Sequence, residues 1–181
     1  MKNAKVFEVD HPPTQEYKKL RVRDTMGEPP ANVIYAPVDF ARQTLQEVLP
    51  GLGYSTSQNT FFVLEGVTMY LTEEQNLETL RFVAEYSGPD SLILFNIQTP
   101  EFQNLQSTAA FKHFAEEAGE PWIFNANEDT AANLVEKAGL KLESCRNFGE
   151  LFIKYLPFAG APNSYLGSRR TERSFCLAIN P

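Results

Sequence analysis

The sequence predicts an α/β fold built on a sheet of mostly parallel strands. Strand-like and helix-like segments alternate along its 181 residues, which is the pattern of strands joined by crossover helices. One strand-like run is apolar on both faces, as expected where helices cover both sides of a sheet. Because there is no internal repeat, low-complexity tract or linker, residues 1–181 are expected to form a single domain around one core.

Six runs have the β-rich composition of strands. Residues 60–64 are the run that is apolar on both faces, and residues 91–97 are the most apolar run, so the latter is expected at the centre of the sheet. Pro37 favours a strand end or a sheet edge, because proline cannot donate to a central ladder. The predicted strands are residues 5–9, 31–38, 60–64, 91–97, 141–148 and 174–179.

Helical patterns fill the intervals between these runs. Thr72 and Gln75 have the spacing of a capping box, and the helix that they open ends near residues 87–89. Its apolar face consists of Leu77, Leu80, Val83 and Ala84. The other predicted helices are residues 14–20 with Thr14 as N-cap, 41–49 before Pro50, and 127–138 before Gly139.

Residues 100–124 interrupt the alternation and are rich in aromatic side chains. An insertion after a strand is where α/β enzymes place substrate lids. A helix packed on the domain through an ordinary aromatic core is an equally good interpretation.

Charge and apolar patterning limit the classes of partner. The chain has 16 basic and 23 acidic residues and a net charge of −7, so nucleic acid and anionic membranes are not expected as partners. The densest basic run, residues 168–173, is interrupted by Glu172 and is expected to be a solvated loop. No apolar stretch approaches the roughly 20 residues that a membrane-spanning helix needs, and the N-terminus has no signal-peptide pattern.

The two cysteines, Cys145 and Cys176, lie far apart in the sequence. If their strands pair, the thiols could approach each other, but ordinary buried thiols are the favoured interpretation. This low cysteine content fits a reducing cytoplasm.

Three acidic residues stand where predicted strands end: Asp10, Asp39 and Glu65. Ligands of open parallel sheets bind outside the carboxyl ends of the strands. A carboxylate such as Asp10 can accept both hydroxyl protons of a ribose. Asp39 can accept from an adenine amine while Phe40 packs on the ring. Each acid could instead be only an N-cap or turn residue.

Three segments resemble the leucine carboxyl methyltransferase-like family of class I S-adenosylmethionine-dependent methyltransferases. Residues 6–12 (VFEVDHP), with Lys18 downstream, are similar to its FEVD segment. Residues 36–40 (APVDF) and 62–71 (FVLEGVTMYL) resemble two further signatures, and the likeness covers roughly residues 5–98.

The resemblance implies a Rossmann-like, mostly parallel sheet whose last strand is antiparallel. It also implies S-adenosyl-L-methionine as cofactor, held by Asp10, Asp39, Phe40 and Glu65, with Glu65 near the reacting methyl group. The implied reaction is methyl transfer to an oxygen of a small-molecule or protein acceptor, a carboxylate in the best-known members.

The sequence departs from the family pattern at its start. The family's glycine-rich loop precedes the FEVD segment, and only four residues precede Lys5. The sheet is therefore expected to lack the family's first strand. It would close up with residues 5–9 beside 60–64, leave a gap, or borrow a strand from another chain.

Methyl transfer mainly requires that the protein positions the two reactants in line and excludes water. A carboxylate acceptor needs no base, whereas a hydroxyl acceptor does, and Tyr70 and His113 are the candidates to contact an acceptor. Packing at a helix start is the alternative for Tyr70, and a surface position is the alternative for His113. No spacing of His, Cys and acidic residues suggests a metal site.

Two other functions remain open. One is a non-catalytic remnant of a methyltransferase that acts as a binding module. The other is a nicotinamide-dependent oxidoreductase. Such an enzyme would also use the ribose-binding acid, but this sequence lacks the G-x-G-x-x-G loop that it would need. The sequence does not predict the acceptor or the oligomeric state.

Overall fold

The computed structural model describes residues 4–105, 108–155 and 173–181, apart from the side chains of residues 152 and 153. The chain divides into two compact units, Met1–Thr56 and Ser57–Pro181. Each unit has its own sheet, one of two strands and one of four.

The first unit is built on two parallel strands, β1 (Val6–Asp10) and β2 (Val33–Pro37), which pair from Val6↔Val33 to Asp10↔Pro37. β2 ends at Pro37, as predicted for a proline. Between them lies helix α1 (Pro12–Met26). After β2 come α2 (Leu45–Val48) and a 3₁₀ turn, Pro50–Leu52.

Both predicted helices of this unit have different bounds in the structure. α1 begins at Pro12 rather than after Thr14, because proline suits the first turn of a helix, where its missing N–H is not needed. It continues to Met26, before Gly27. Of residues 41–49 only Leu45–Val48 are α-helical, because the preceding residues fold into a turn around Asp39.

The second unit contains a four-stranded sheet of order β3-β4-β6-β5. β3 and β4 are parallel, and β6 runs antiparallel to both of its neighbours, so the expected antiparallel last strand is confirmed. Its elements are β3 (Phe61–Leu64), a 3₁₀ turn (Thr68–Tyr70), α3 (Glu73–Glu85), β4 (Leu92–Gln98), α4 (Pro100–Gln103), α5 (Ala109–Glu117), α6 (Glu128–Lys137), β5 (Lys141–Asn147), α7 (Phe148–Tyr155) and β6 (Arg173–Ile179).

The local signals at α3 and α6 are confirmed. The Thr72 hydroxyl accepts from the backbone N–H of Gln75 at 3.2 Å, and the Gln75 side chain accepts from the backbone N–H of Thr72 at 2.8 Å. The Asn127 side chain caps α6, and Gly139 follows with a φ of 84°. Helix α7 was not predicted. It lies inside the long connection before the last strand.

One face of the four-stranded sheet forms the core of the second unit. Ile93, Phe95 and Ile97 of β4 pack with residues of α3 and α6 in a single buried cluster. The other face is less covered, since Phe61 and Val63 of β3 are 59% and 57% exposed. The prediction that both faces of residues 60–64 are buried is therefore wrong.

Cys145 and Cys176 form a disulfide in the structure, so the prediction of separate thiols is wrong. They are directly opposite each other in the β5·β6 ladder, with their Cα atoms 4.1 Å apart. Antiparallel pairing brings opposite residues close enough to bond. The cytoplasmic location rested partly on separate thiols, and it stays a prediction.

The basic run of residues 168–173 was expected to be a solvated loop. Residues 168–172 lie outside the described residues, but Arg173 is the first residue of β6 and is partly buried. Within the described ranges, no helix is long and apolar enough to cross a bilayer.

Candidate functional site

Two of the predicted acids meet at the carboxyl edge of the two-stranded sheet. β1 ends at Asp10, and the backbone N–H of Val38, just past the end of β2, donates to the Asp10 carbonyl at 3.0 Å. Asp39 therefore follows β2, the strand that pairs with the one ending at Asp10. The placement of both acids where parallel strands end matches the rule for ligand sites in such sheets.

The Asp10 carboxylate is held by two neighbours. One oxygen accepts from the backbone N–H of His11 at 2.8 Å, and the other lies 3.3 Å from the Lys18 ammonium. Lys18 also donates to Glu8, and this hydrogen bond raises the pKa of Lys18 above its ordinary value. The buried Gln15 fixes Glu8 in turn, by donating to its carbonyl at 2.8 Å and to its carboxylate at 3.0 Å.

Asp39 shapes the turn that follows β2. One of its carboxylate oxygens accepts from the backbone N–H of Ala41 at 3.0 Å, and the other lies 3.5 Å from the Arg42 side chain. Val38, just before it, is fully buried and anchors the turn, and the half-buried Phe40 follows. This geometry suits a turn residue and also leaves carboxylate lone pairs for a ligand.

Glu65 belongs to the second unit and follows β3. The next residue, Gly66, has a φ of 71°, which glycine adopts without strain, and its N–H donates to the Asn96 side chain at 2.7 Å. The Asn96 carbonyl accepts from the Thr68 hydroxyl at 2.7 Å. Asn96 of β4 thus holds the segment that starts at Glu65.

The two weaker candidates differ in environment. Tyr70 ends the 3₁₀ turn Thr68–Tyr70 and is partly buried. His113 lies on α5, 70% exposed, with its ring 3.4 Å from the Glu117 carboxylate. The roles of both residues stay predictions.

Residues 100–124 combine features of both interpretations. Phe124 is buried, and the backbone N–H groups of Ile123 and Phe124 donate to the Met69 carbonyl at 2.8 and 3.2 Å. By contrast, Phe111 and Phe114 on α5 are 67% and 69% exposed. Residues 106 and 107 lie outside the described residues, and the lid over this span stays a prediction.

The sequence reasoning missed polar residues at the carboxyl end of β4. Asn96 and Gln98 are 3% and 2% exposed, and Gln98 pairs in register with Arg173. The Arg173 guanidinium lies 4.7 Å above the Phe102 ring. The available signal was two amide side chains in and just after the most apolar strand of the chain.

Residues 1–84 match the family described as Leucine carboxyl methyltransferase. YktD of Bacillus subtilis (strain 168), by name an S-adenosyl-L-methionine-dependent methyltransferase, is 30% identical over 142 residues, which are 76% of this chain and 46% of YktD. The chain thus spans about half the length of this curated relative.

Solved structures of similar fold include the mitomycin 7-O-methyltransferase MmcR, with a TM-score of 0.58, 15% identity and coverage of 98% of this chain and 42% of MmcR. The pyocyanin biosynthetic protein PhzM has a TM-score of 0.56 at 14% identity, covering 99% of this chain and 44% of PhzM. LepI in complex with SAM has a TM-score of 0.54 at 15% identity, covering 97% of this chain and 36% of LepI. At such identities the likeness shows the fold alone.

The fold is that of the class I S-adenosylmethionine-dependent methyltransferases. Within that class, the chain is similar to the leucine carboxyl methyltransferase family over residues 1–84 and to YktD over 142 residues.

Proposed function

We propose that this chain is part of an S-adenosyl-L-methionine-dependent O-methyltransferase that acts on a carboxylate or hydroxyl acceptor. The observation that carries the proposal is the pair of carboxylates, Asp10 and Asp39, at the carboxyl ends of two paired parallel strands. Ligands of such sheets bind at this edge. The similarity to the leucine carboxyl methyltransferase family over residues 1–84 supports methyl transfer over nicotinamide chemistry.

The residues present fit the nucleoside part of the cofactor. Asp10 has carboxylate lone pairs beyond those used by His11 and Lys18, and they can accept the hydroxyl protons of a ribose. Asp39 would accept from the adenine amine, and Phe40 would pack on the ring. When bound, the cofactor supplies a methyl group on a sulfonium sulfur.

Glu65, which follows β3, is the candidate to bind the amino-acid portion of the cofactor, as the family resemblance implies. Tyr70, five residues later, is the candidate to contact an acceptor. With a carboxylate acceptor no residue has to remove a proton, so the work of these side chains is to orient the acceptor and exclude water.

Replacing Asp10 tests the cofactor assignment. Asp10→Asn keeps the size of the side chain but removes its charge, so we expect S-adenosyl-L-methionine binding to weaken by about 1.5–3 kcal/mol, or roughly 10- to 150-fold, the range for a hydrogen bond to a charged group. The measurement is calorimetric titration with S-adenosyl-L-methionine of Asp10→Asn and of the unmodified protein, each as expressed from the natural gene.

Asp24→Asn is the matched control, because Asp24 lies on α1 with its side chain 69% exposed. It should leave the affinity unchanged. If Asp10→Asn binds the cofactor as tightly as the unmodified protein does, Asp10 does not hold the ribose.

A further inference from the structure

Arg173 presents a cation at the carboxyl end of β4. It is the first residue of β6 and pairs with Gln98, the last residue of β4. Directly opposite residues of an antiparallel pair project from the same face of the sheet. The guanidinium and the Gln98 amide therefore leave the same face of the four-stranded sheet.

No described carboxylate forms a salt bridge with Arg173. Its guanidinium lies over the Phe102 ring at 4.7 Å. Burial lowers the pKa of Arg173, and the negative charge of Glu65 only partly offsets this effect. A partly buried cation without a bonded anion is unfavourable, so this position suits an external anion.

Two buried polar groups of the same region also lack partners among the described residues. Gln98 is 2% exposed, and neither its amide oxygen nor its amide nitrogen has a hydrogen bond. The indole N–H of Trp122 is likewise buried and unpaired, and its ring stacks on Phe102 with centroids 6.5 Å apart. Buried polar groups normally have partners, and here the unpaired donors outnumber the acceptors.

We propose that Arg173, Gln98 and Trp122 form a site for a carboxylate of the acceptor molecule. The name acceptor rests on the proposed methyltransferase function, whereas the anion site rests on these side chains alone. Arginine presents a planar fork of N–H groups that matches a carboxylate. Phe102 and Trp122 offer aromatic surface for an apolar group attached to it.

A singly charged carboxylate fits this site better than a phosphate dianion does. Arg173 is the one cation of the proposed site, and the charge of Glu65 acts on it. A second negative charge on the ligand would be repelled by Glu65, and Gln98 and Trp122 supply no second cation to balance it. We therefore expect selectivity for organic monocarboxylates over inorganic phosphate.

Tryptophan fluorescence tests the site directly, because Trp122 is the only tryptophan in the chain. The 181-residue chain, without cofactor, is titrated with hexanoate, with hexanamide as the uncharged analogue and with inorganic phosphate. We expect a saturable change with hexanoate, no change with hexanamide and at least tenfold weaker binding of phosphate.

Variants assign the response to the proposed side chains. Arg173→Met should abolish the hexanoate response, and Arg173→Lys should weaken it about tenfold, because lysine keeps the charge but not the planar fork. Gln98→Glu should also abolish it by repelling the ligand. Arg81→Met is the matched control, since Arg81 is an exposed arginine of α3 that contacts Glu74, and it should bind hexanoate normally.

Three results would overturn the proposal. They are no response to hexanoate in the unmodified chain, a response that survives Arg173→Lys unchanged, and equal affinity for phosphate and hexanoate. Circular dichroism establishes whether each variant is folded. If Arg173→Met does not fold, the comparison of Arg173→Lys with the unmodified chain decides the test. Because no cofactor is added, a negative result leaves the Asp10 assignment intact, and failure of the Asp10 test leaves this site intact.

Discussion

Asp10 shows how a strand-end acid acquires a defined orientation. Its carboxylate is fixed by the N–H of His11 and by Lys18, and Lys18 also binds Glu8 one pleat earlier. Two carboxylates thus share one ammonium group. The sequence pattern contains all three residues, but only the start of α1 at Pro12 places Lys18 over both acids.

Replacing Lys18 tests this arrangement. Lys18→Met keeps most of the length of the side chain but removes the ammonium group that Glu8 and Asp10 share. We expect a loss of less than about 1 kcal/mol in the free energy of unfolding, because the ion pairs are partly exposed. Arg21→Met, on the exposed side of α1, is the control for loss of a positive charge.

The pH dependence of this loss follows from the raised pKa of Lys18. A raised folded-state pKa gives stability that is complete below the unfolded value, about 10.4 for lysine, and is lost as the pH rises through the folded value. The difference between the unmodified protein and Lys18→Met, measured by urea unfolding, should therefore stay constant up to about pH 10 and shrink as the pH rises from about 10 to about 12. A difference that stays constant over this interval would contradict the ion pairs.

Asn96 and Gln98 illustrate a different residue-scale effect. Both are amides at the carboxyl end of an otherwise apolar strand, yet Asn96 is hydrogen-bonded to Gly66 and Thr68, whereas the amide of Gln98 has no described partner. The two amide side chains therefore have different roles. Asn96 holds a turn, and Gln98 is available to a ligand.

At the scale of elements, the disulfide joins the two strands at the far edge of the second unit. It links Cys145 of β5 to Cys176 of β6 across a sequence separation of 31. A covalent link across such a loop restricts the unfolded chain and stabilises the fold by about 3–4 kcal/mol in the loop-entropy account.

Cys145→Ala should therefore lower the free energy of unfolding by about 2–4 kcal/mol under oxidising conditions. The measurement is urea unfolding with and without a reducing agent, and the difference between variant and unmodified protein should largely disappear under reduction. Thiol titration of the denatured, unreduced protein gives a second readout. Two reactive thiols there would show that the cysteines are not joined.

Strand β3 is the element whose environment differs most from its prediction. Its residues alternate between half-buried and exposed, with Phe61 and Val63 outward. Apolar composition alone indicates a strand that could be buried on both sides. Which faces are covered depends on helices elsewhere in the chain, so composition could not show it.

At the scale of the whole molecule, the strands divide into two sheets. β1 pairs with β2, β3 pairs with β4, and within the described residues neither β1 nor β3 has a strand on its other side. Among the described residues, β1 and β3 therefore each lie at an edge of their sheet. The three arrangements expected for a sheet without the family's first strand stay predictions.

This arrangement predicts weak cofactor binding by the 181 residues alone. They contain no glycine-rich turn between a strand and a helix upstream of Asp10, and such a turn allows the backbone to approach a cofactor closely. We expect calorimetric titration of the 181-residue chain with S-adenosyl-L-methionine to give a dissociation constant of millimolar order or no detectable binding. Micromolar affinity would show that Asp10, Asp39 and Glu65 suffice.

The sequence by itself determined the α/β class, the capping of α3 and α6, the end of β2 at Pro37 and the acids at the strand ends. These features depend on residues a few positions apart, because capping, proline geometry and apolar periodicity are local. Only the tertiary structure decided that Cys145 faces Cys176, that Gln98 faces Arg173 and that Phe61 stays exposed. Those facts depend on which distant strands pair, in which register, and on which face a helix covers, and local patterns carry no information about the partner.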